Sequence, residues 1–244
     1  MIPTTRATIT AVAAAIIAAT GYLGTRYLAI GILACVIMFA WGWPNLAHVS
    51  RKSISSYVIA GGGALALIAV ILGRSEPYLR YMVIAVAAVT IAALTSEIFF
   101  ASQRGHAVTS VAATAAGGAV ATSGAAWLAA NRTAGAEDLV VAGGVVLALA
   151  AVAAVLTANA NINAVISIGV GIGAGVAMGS LFPSMTWWGG SLVGLTGAVS
   201  IVLTNELYRR EPRPRTFMAG ISSGVTPVLV SGMLIYLAGR MLVG

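Results

Sequence analysis

Residues 139–156 carry no charge and no hydrogen-bonding side chain, and stretches of the same kind recur along the rest of the chain between short polar breaks. A segment that is apolar on every side cannot be half of a soluble surface, because an amphipathic helix keeps one polar face and a half-buried strand alternates. The environment that accepts it is hydrocarbon, and there the backbone must satisfy itself as a helix. A β-barrel would need strands of about ten residues alternating in polarity, and residues 139–156 do not alternate. The expected class is therefore all-α, a polytopic transmembrane helical bundle.

Composition excludes the competing classes. Charged residues make up 8% of the chain, against roughly 25% in an ordinary soluble domain, while 59% are hydrophobic. So few charges cannot cover a water-facing surface, and so high an apolar content excludes a disordered chain. The apolar mass is mostly Ala, Val, Ile, Leu and Gly, which suits helices that approach closely in lipid.

At about 20 residues per crossing, about nine helices are predicted, near 7–24, 27–46, 54–73, 79–102, 107–130, 139–158, 162–183, 188–208 and 216–239. Residues 11–19 also resemble the core of a signal peptide behind Arg6, but the eight segments that follow favour a start-transfer helix. No sizeable soluble domain is expected, and residues 1–244 read as a single integral membrane domain.

The net charge of +7 arises from 12 Arg and one Lys. In a soluble chain it would point to nucleic acid. Here the basic residues sit in connectors, where they set orientation and meet anionic lipid headgroups, so no nucleic-acid partner is expected. With the N-terminus inside, Arg6, Arg51, Lys52, Arg104, Arg209, Arg210, Arg213 and Arg215 are cytoplasmic, and Arg26, Arg74, Arg80, Arg132 and Arg240 are outside. The excess favours a cytoplasmic N-terminus. Usage rich in Ala, Val and Arg and poor in Lys is that of a GC-rich bacterial genome, which places the chain in a plasma membrane. The one cysteine, Cys35, lies in an apolar run and has no internal disulfide partner.

Few residues are left to carry a function. Glu97 lies in the apolar run 81–102, where a carboxylate is costly unless it is paired, protonated or wet. It reads as a coupling site, or as an interfacial residue two turns before Arg104. Glu206 precedes Arg210 by four residues, the spacing of a helix-surface ion pair. The segment Arg209, Arg210, Glu211, Pro212, Arg213, Pro214, Arg215 reads as an extended cytoplasmic loop that sets topology, or that binds lipid or nucleotide phosphate. Gly171, Gly175 and Gly179 form a small-residue stripe for helix packing, or an unwound stretch along a substrate path.

Pro227 follows Ser222, Ser223, Gly224 and Thr226 inside the last helix, where a kink or local unwinding is expected. Asn159, Asn161 and Asn163 read as caps on the seventh helix. His48 and His106 have no ligand-spaced neighbours, and Asn131-Arg132-Thr133 is a bare glycosylation sequon. No catalytic residue, metal site or cofactor is expected. The expected partners are membrane lipids, with anionic headgroups at 209–215, and a homo- or hetero-oligomer is left open. The residues point first to a non-enzymatic permease or a subunit of an envelope complex.

The order of parts resembles the phosphatidate cytidylyltransferase (CDP-diacylglycerol synthase) family. The similarity rests on Arg6-Ala7-Thr8-Ile9-Thr10-Ala11 before a two-helix hairpin closing on Trp41-Gly42-Trp43, a basic connector leading to 108–127, and an arginine-rich loop before the last helix. It spans most of the chain in layout. It implies a lipid-modifying enzyme whose 209–215 loop binds phosphate. The family's aspartate-rich metal site and its Pro-Gly-His-Gly-Gly segment have no counterpart in Asn205-Glu206-Leu207-Tyr208-Arg209-Arg210 or in Met218-Ala219-Gly220-Ile221-Ser222-Ser223-Gly224. Hard divalent cations want oxygen ligands, so the resemblance implies a copy without that catalysis.

Overall fold

A computed structural model describes residues 3–49, 51–100, 107–134, 137–210, 214 and 216–243, and every regular element among them is helical. In chain order these are α1 (Pro3–Leu23), α2 (Thr25–Leu46), α3 (Lys52–Leu72), α4 (Met82–Phe100), α5 (Ala107–Ser123), α6 (Ala125–Arg132), α7 (Glu137–Ala153), α8 (Ala160–Leu181), α9 (Trp187–Arg210) and α10 (Phe217–Val243). Helices α5 and α6 are two parts of one apolar rod, Ala107–Arg132, broken at Gly124. Among the described residues, eight rods are long and apolar enough to cross a bilayer. The protein is a multi-pass, all-helical membrane protein.

The ninth rod, α7, has 17 residues. At 1.5 Å per residue it reaches about 25 Å, short of a hydrocarbon core of about 30 Å. The expected helix 139–158 is thus corrected at its C-terminal end, where the chain turns at 154–159 and starts α8. Arg209 and Arg210 correct a second expectation: they are not loop residues but the last turn of α9.

At the centre lies α10, which packs on α1, α2, α5, α6, α7 and α9. Its polar run does not unwind at Pro227, as α10 is helical throughout. Proline removes one backbone donor, yet the hydroxyls here find carbonyls: Ser222 Oγ donates to Phe39 O at 3.1 Å, Ser223 Oγ to Gly220 O at 2.7 Å and Thr226 Oγ1 to Ser222 O at 2.8 Å. None of these three bonds reaches the Ser223 carbonyl, the one whose donor the proline removes. At the periphery, α4 packs on α3 and α5, and α8 packs on α7 and α9.

The α8–α9 contact is made by backbone. A β-carbon built on Gly171 would lie 2.6 Å from Ala198 Cβ, one on Gly179 would lie 3.1 Å from Gly190 Cα, and one on Gly175 would run into the carbonyl oxygen of Gly190. Gly190, Gly194 and Ala198 on α9 are the matching small residues. Gly169 and Gly173, on the other side of α8, have open space around them.

Candidate functional site: an arginine vestibule beside the short helix

Two antiparallel registers set the level at which α7 stops. Gly144 packs on Ala14 and Ala18 while Gly21 packs on Val140, so the end of α7 lies level with Arg6 in α1. The α8–α9 glycine register puts Asn161 level with Asn205 and Glu206. Helix α9 continues five residues beyond Asn205, about 7.5 Å at 1.5 Å per residue. The turn at 154–159 is therefore recessed among longer helices, and a cavity of about 570 Å³ opens beside it between α1, α8 and α9.

The turn is held by the asparagines. Asn159 Oδ1 accepts from the backbone N–H groups of Asn161 at 3.0 Å and Ile162 at 3.4 Å, an N-cap of α8. Asn163, buried, clamps Thr157: its Oδ1 accepts from the Thr157 N–H and hydroxyl, both at 2.8 Å, and its Nδ2 donates to the Thr157 carbonyl at 2.8 Å. Asn161 lines the cavity, and among the described residues no hydrogen bond engages its side-chain amide.

Arg6 supplies the cavity's charge. Its Nη2 donates to Asn205 Oδ1 at 2.9 Å, and its guanidinium lies 5.3 Å from the centre of the Tyr208 ring. Tyr208 in turn meets Thr226 of α10, hydroxyl to hydroxyl, at 2.8 Å, and Thr10 Oγ1 donates to Gly224 O at 2.6 Å. The guanidinium is thus positioned by α1, α9 and α10 together. Among the described residues no carboxylate pairs with it, and one of its five N–H donors is used.

Glu206 is on the same wall, but its charge is taken. Arg209 Nη1 reaches its Oε2 at 2.9 Å, and Arg210 Nε and Nη2 reach its Oε1 at 3.3 Å. All three side chains are well exposed. Exposed pairs of this kind contribute about 1 kcal/mol or less, so Glu206→Gln is expected to leave the thermal unfolding midpoint within about 2–4 °C of the unsubstituted chain.

On the opposite face of the bundle several charged groups are engaged within the protein. Arg132 of α6 donates to the carbonyls of Val70, Ile71 and Gly73 at the end of α3 and covers the Tyr78 ring at 4.5 Å. Arg240 pairs with Glu76 at 2.8 Å, and Ser184 donates to Asp138 at 2.5 Å. Arg26 and Arg74 on that face are exposed with no partner among the described residues, so spare donors are not confined to the vestibule; what sets Arg6 apart is that it lines a cavity within the bundle.

The residues singled out in the sequence do not share one site. Glu206 and Arg209 line the vestibule, and Arg210 stands beside them. Glu97 lines a separate, mainly apolar groove of about 440 Å³ between α4 and α5, with Leu94, Ile98, Val108 and Val111. Its expected neighbour Arg104, like His106, Arg213 and Arg215, lies outside the described residues. Pro227 is buried within α10 and is not on either wall. Arg6, read in the sequence as a topology charge, is the vestibule residue that reading missed. A signal was present: Asn205 and Tyr208 on α9, and Ser222 and Thr226 on α10, form polar pairs at helical spacing at the same depth. Compared with protein-family models, with curated proteins and with solved structures, the chain matches none, so its functional reading rests on this geometry.

Proposed function

We propose that the protein is a small, non-enzymatic permease or envelope-complex subunit of a bacterial plasma membrane, with a cytoplasmic N-terminus and the Arg6 vestibule as its functional site. The observation that carries this reading is the recessed turn at 154–159. Irregular backbone at membrane depth is tolerated only inside protein or beside water, and this turn lines a cavity that also holds a guanidinium with donors to spare. The excess of Lys and Arg on the face where α1 starts supports a cytoplasmic vestibule.

The test uses the chain's single cysteine. Cys35 is fully buried, so Cys35→Ala gives a cysteine-free background. Ala158→Cys in the vestibule should react with a membrane-impermeant maleimide from the cytoplasmic side, and Ser184→Cys from the other side. Labelling of Ala158→Cys from outside would invert the topology, and no labelling from either side would make the cavity dry and remove the site. Purification in a gentle detergent separates the two forms of the reading, since a bare 24.5 kDa chain counts against a subunit.

A second reading, a divergent lipid-modifying enzyme of the phosphatidate cytidylyltransferase type, is favoured by one observation. Glu206 and Arg209, from the segment that carries the resemblance, do lie on a cavity wall. Among the described residues no three His, Cys, Asp or Glu side chains gather. Metal-dependent turnover of CTP with phosphatidic acid in detergent would establish this reading, and a flat assay beside an active control enzyme would remove it.

A further inference from the structure

We infer that the vestibule binds the phosphate group of an organic phosphate, with Arg6 as the primary contact and Asn161 and Arg209 as supporting donors. This deepens the reading of the vestibule as the functional site by naming its ligand class, and rests on it. The argument starts from the donor inventory. A guanidinium presents five N–H groups in a planar fork that matches phosphate oxygens two at a time. One arm of Arg6 is anchored to Asn205, and the ring of Tyr208 packs on its π system. The anchored arm fixes the plane of the fork and leaves its other N–H groups for a ligand.

The rest of the wall agrees in charge. Asn161 adds amide donors that no described residue engages, at the start of α8, where the helix dipole also favours an anion. Among the described residues Glu206 is the one carboxylate on the wall, and it is held by Arg209 and Arg210, so the cluster of Arg6, Glu206, Arg209 and Arg210 has a net positive charge.

Size and polarity select the class further. About 570 Å³ is the volume of a small-molecule site and more than a bare phosphate ion fills. Beside the polar groups the wall is apolar, with Val155, Ala164 and Val202 among its residues. A phosphate carrying an organic body satisfies both halves. Two sources offer that chemistry: the headgroup of an anionic lipid in the same leaflet, and a water-soluble organophosphate.

The experiment compares both sources in detergent, where membrane sidedness plays no part, so its outcome is separate from that of maleimide labelling. Native mass spectrometry follows retention of phosphatidylglycerol against monogalactosyldiacylglycerol, a neutral lipid without phosphate, and thermal unfolding follows stabilisation by glycerol 3-phosphate. The unsubstituted chain should retain phosphatidylglycerol about tenfold or more over monogalactosyldiacylglycerol, or be stabilised by glycerol 3-phosphate, the first result marking a lipid source and the second a soluble one. Arg6→Gln should abolish either effect. Because Arg6 also joins α1 to α9, Asn161→Asp is the control for folding. It puts a carboxylate in the first turn of α8, where it does not weaken the helix, and should cut binding about tenfold by opposing the anion. Arg240→Gln, on the opposite face, should change nothing. The inference is overturned if no phosphate ligand distinguishes the unsubstituted chain from a folded Asn161→Asp protein.

Discussion

Gly175→Leu is expected to lower the thermal unfolding midpoint in detergent by about 6–12 °C, while Gly173→Leu, two residues earlier on the same helix, leaves it unchanged or raises it. The difference comes from what each new side chain meets. At Gly175 the first added carbon already collides with the backbone carbonyl of Gly190 and lies 2.9 Å from Gly194 Cα. Neither atom can rotate away, so α8 and α9 must separate along the whole stripe of Gly171, Gly175 and Gly179. Overpacking of rigid surroundings typically costs about 1–3 kcal/mol, and sometimes more. In a chain of this length 3 kcal/mol corresponds to about 6–12 °C. Lipid offers no hydrophobic gain to offset that separation, since association there rests on close packing. At Gly173 nothing lies within 4 Å of the new carbon, and leucine is the better helix former by up to about 1 kcal/mol. Melting points for the two variants within a degree or two of each other would show that the glycine stripe does not hold α8 to α9. The two helices also carry Asn161 and Asn205, so Gly175→Leu should weaken phosphate binding as well, and Gly173→Leu should not.

These two glycines also show how far the sequence could be read. The class was legible because uniform apolarity at about 20 residues per segment has one physical solution. The same uniformity hides orientation: a helix that is apolar all round has no polar face to say which side meets protein. Spacing alone offers two stripes on α8, Gly171–Gly175–Gly179 and Gly169–Gly173, and only the facing Gly190, Gly194 and Ala198 of α9 select the first. The break at Gly124 and the early end of α7 were illegible for a related reason. Residues 154–156 are as apolar as a continuing helix would be, and it is the Asn159 cap and the Asn163 clamp, bonds formed across the turn, that end α7.

The site was legible only in part, for an electrostatic reason. Charges on a membrane protein gather at its ends whether they set topology, pair with each other or bind a ligand. Arg6, Arg132 and Arg240 look alike in the sequence. In the structure Arg132 covers carbonyls of α3 and Arg240 meets Glu76, while Arg6 finds an amide and an aromatic ring. Glu206 belongs to the vestibule wall, as its spacing to Arg210 allowed, but its neighbours across the cavity come from α1 and α8, more than forty residues away in sequence. What sets Arg6 apart from Arg132 and Arg240 is that its spare donors lie on a cavity wall, and that is a property of packing.

Trp127→Ala is expected to be the most damaging single truncation of a side chain, costing about 3 kcal/mol, while Trp127→Phe costs about 1 kcal/mol. Trp127 is fully buried in α6, and its Nε1 donates to Val228 O of α10 at 2.8 Å. The ring fills the space left by two glycines: a β-carbon on Gly143 of α7 would meet it at 3.0 Å, and one on Gly232 of α10 at 2.6 Å. It thereby wedges α6, α7 and α10 together just past the break at Gly124, where Ser123 Oγ donates to Leu229 O at 3.0 Å. Truncating a buried aromatic in a soluble core costs about 3–5 kcal/mol. Part of that is transfer from water, which lipid supplies to the unfolded helices as well, so the lower end applies and the loss is mainly of contacts around an unfilled cavity. The hydrogen bond is the smaller share, about 0.5–1.5 kcal/mol, because Val228 O keeps the Ser231 hydroxyl at 2.9 Å. Trp188, 45% exposed at the start of α9, provides the control, and Trp188→Ala should cost less than about 1 kcal/mol. Equal losses for Trp127→Ala and Trp127→Phe would assign the effect to the hydrogen bond, and an equal loss for Trp188→Ala would remove Trp127 as the wedge between α6, α7 and α10.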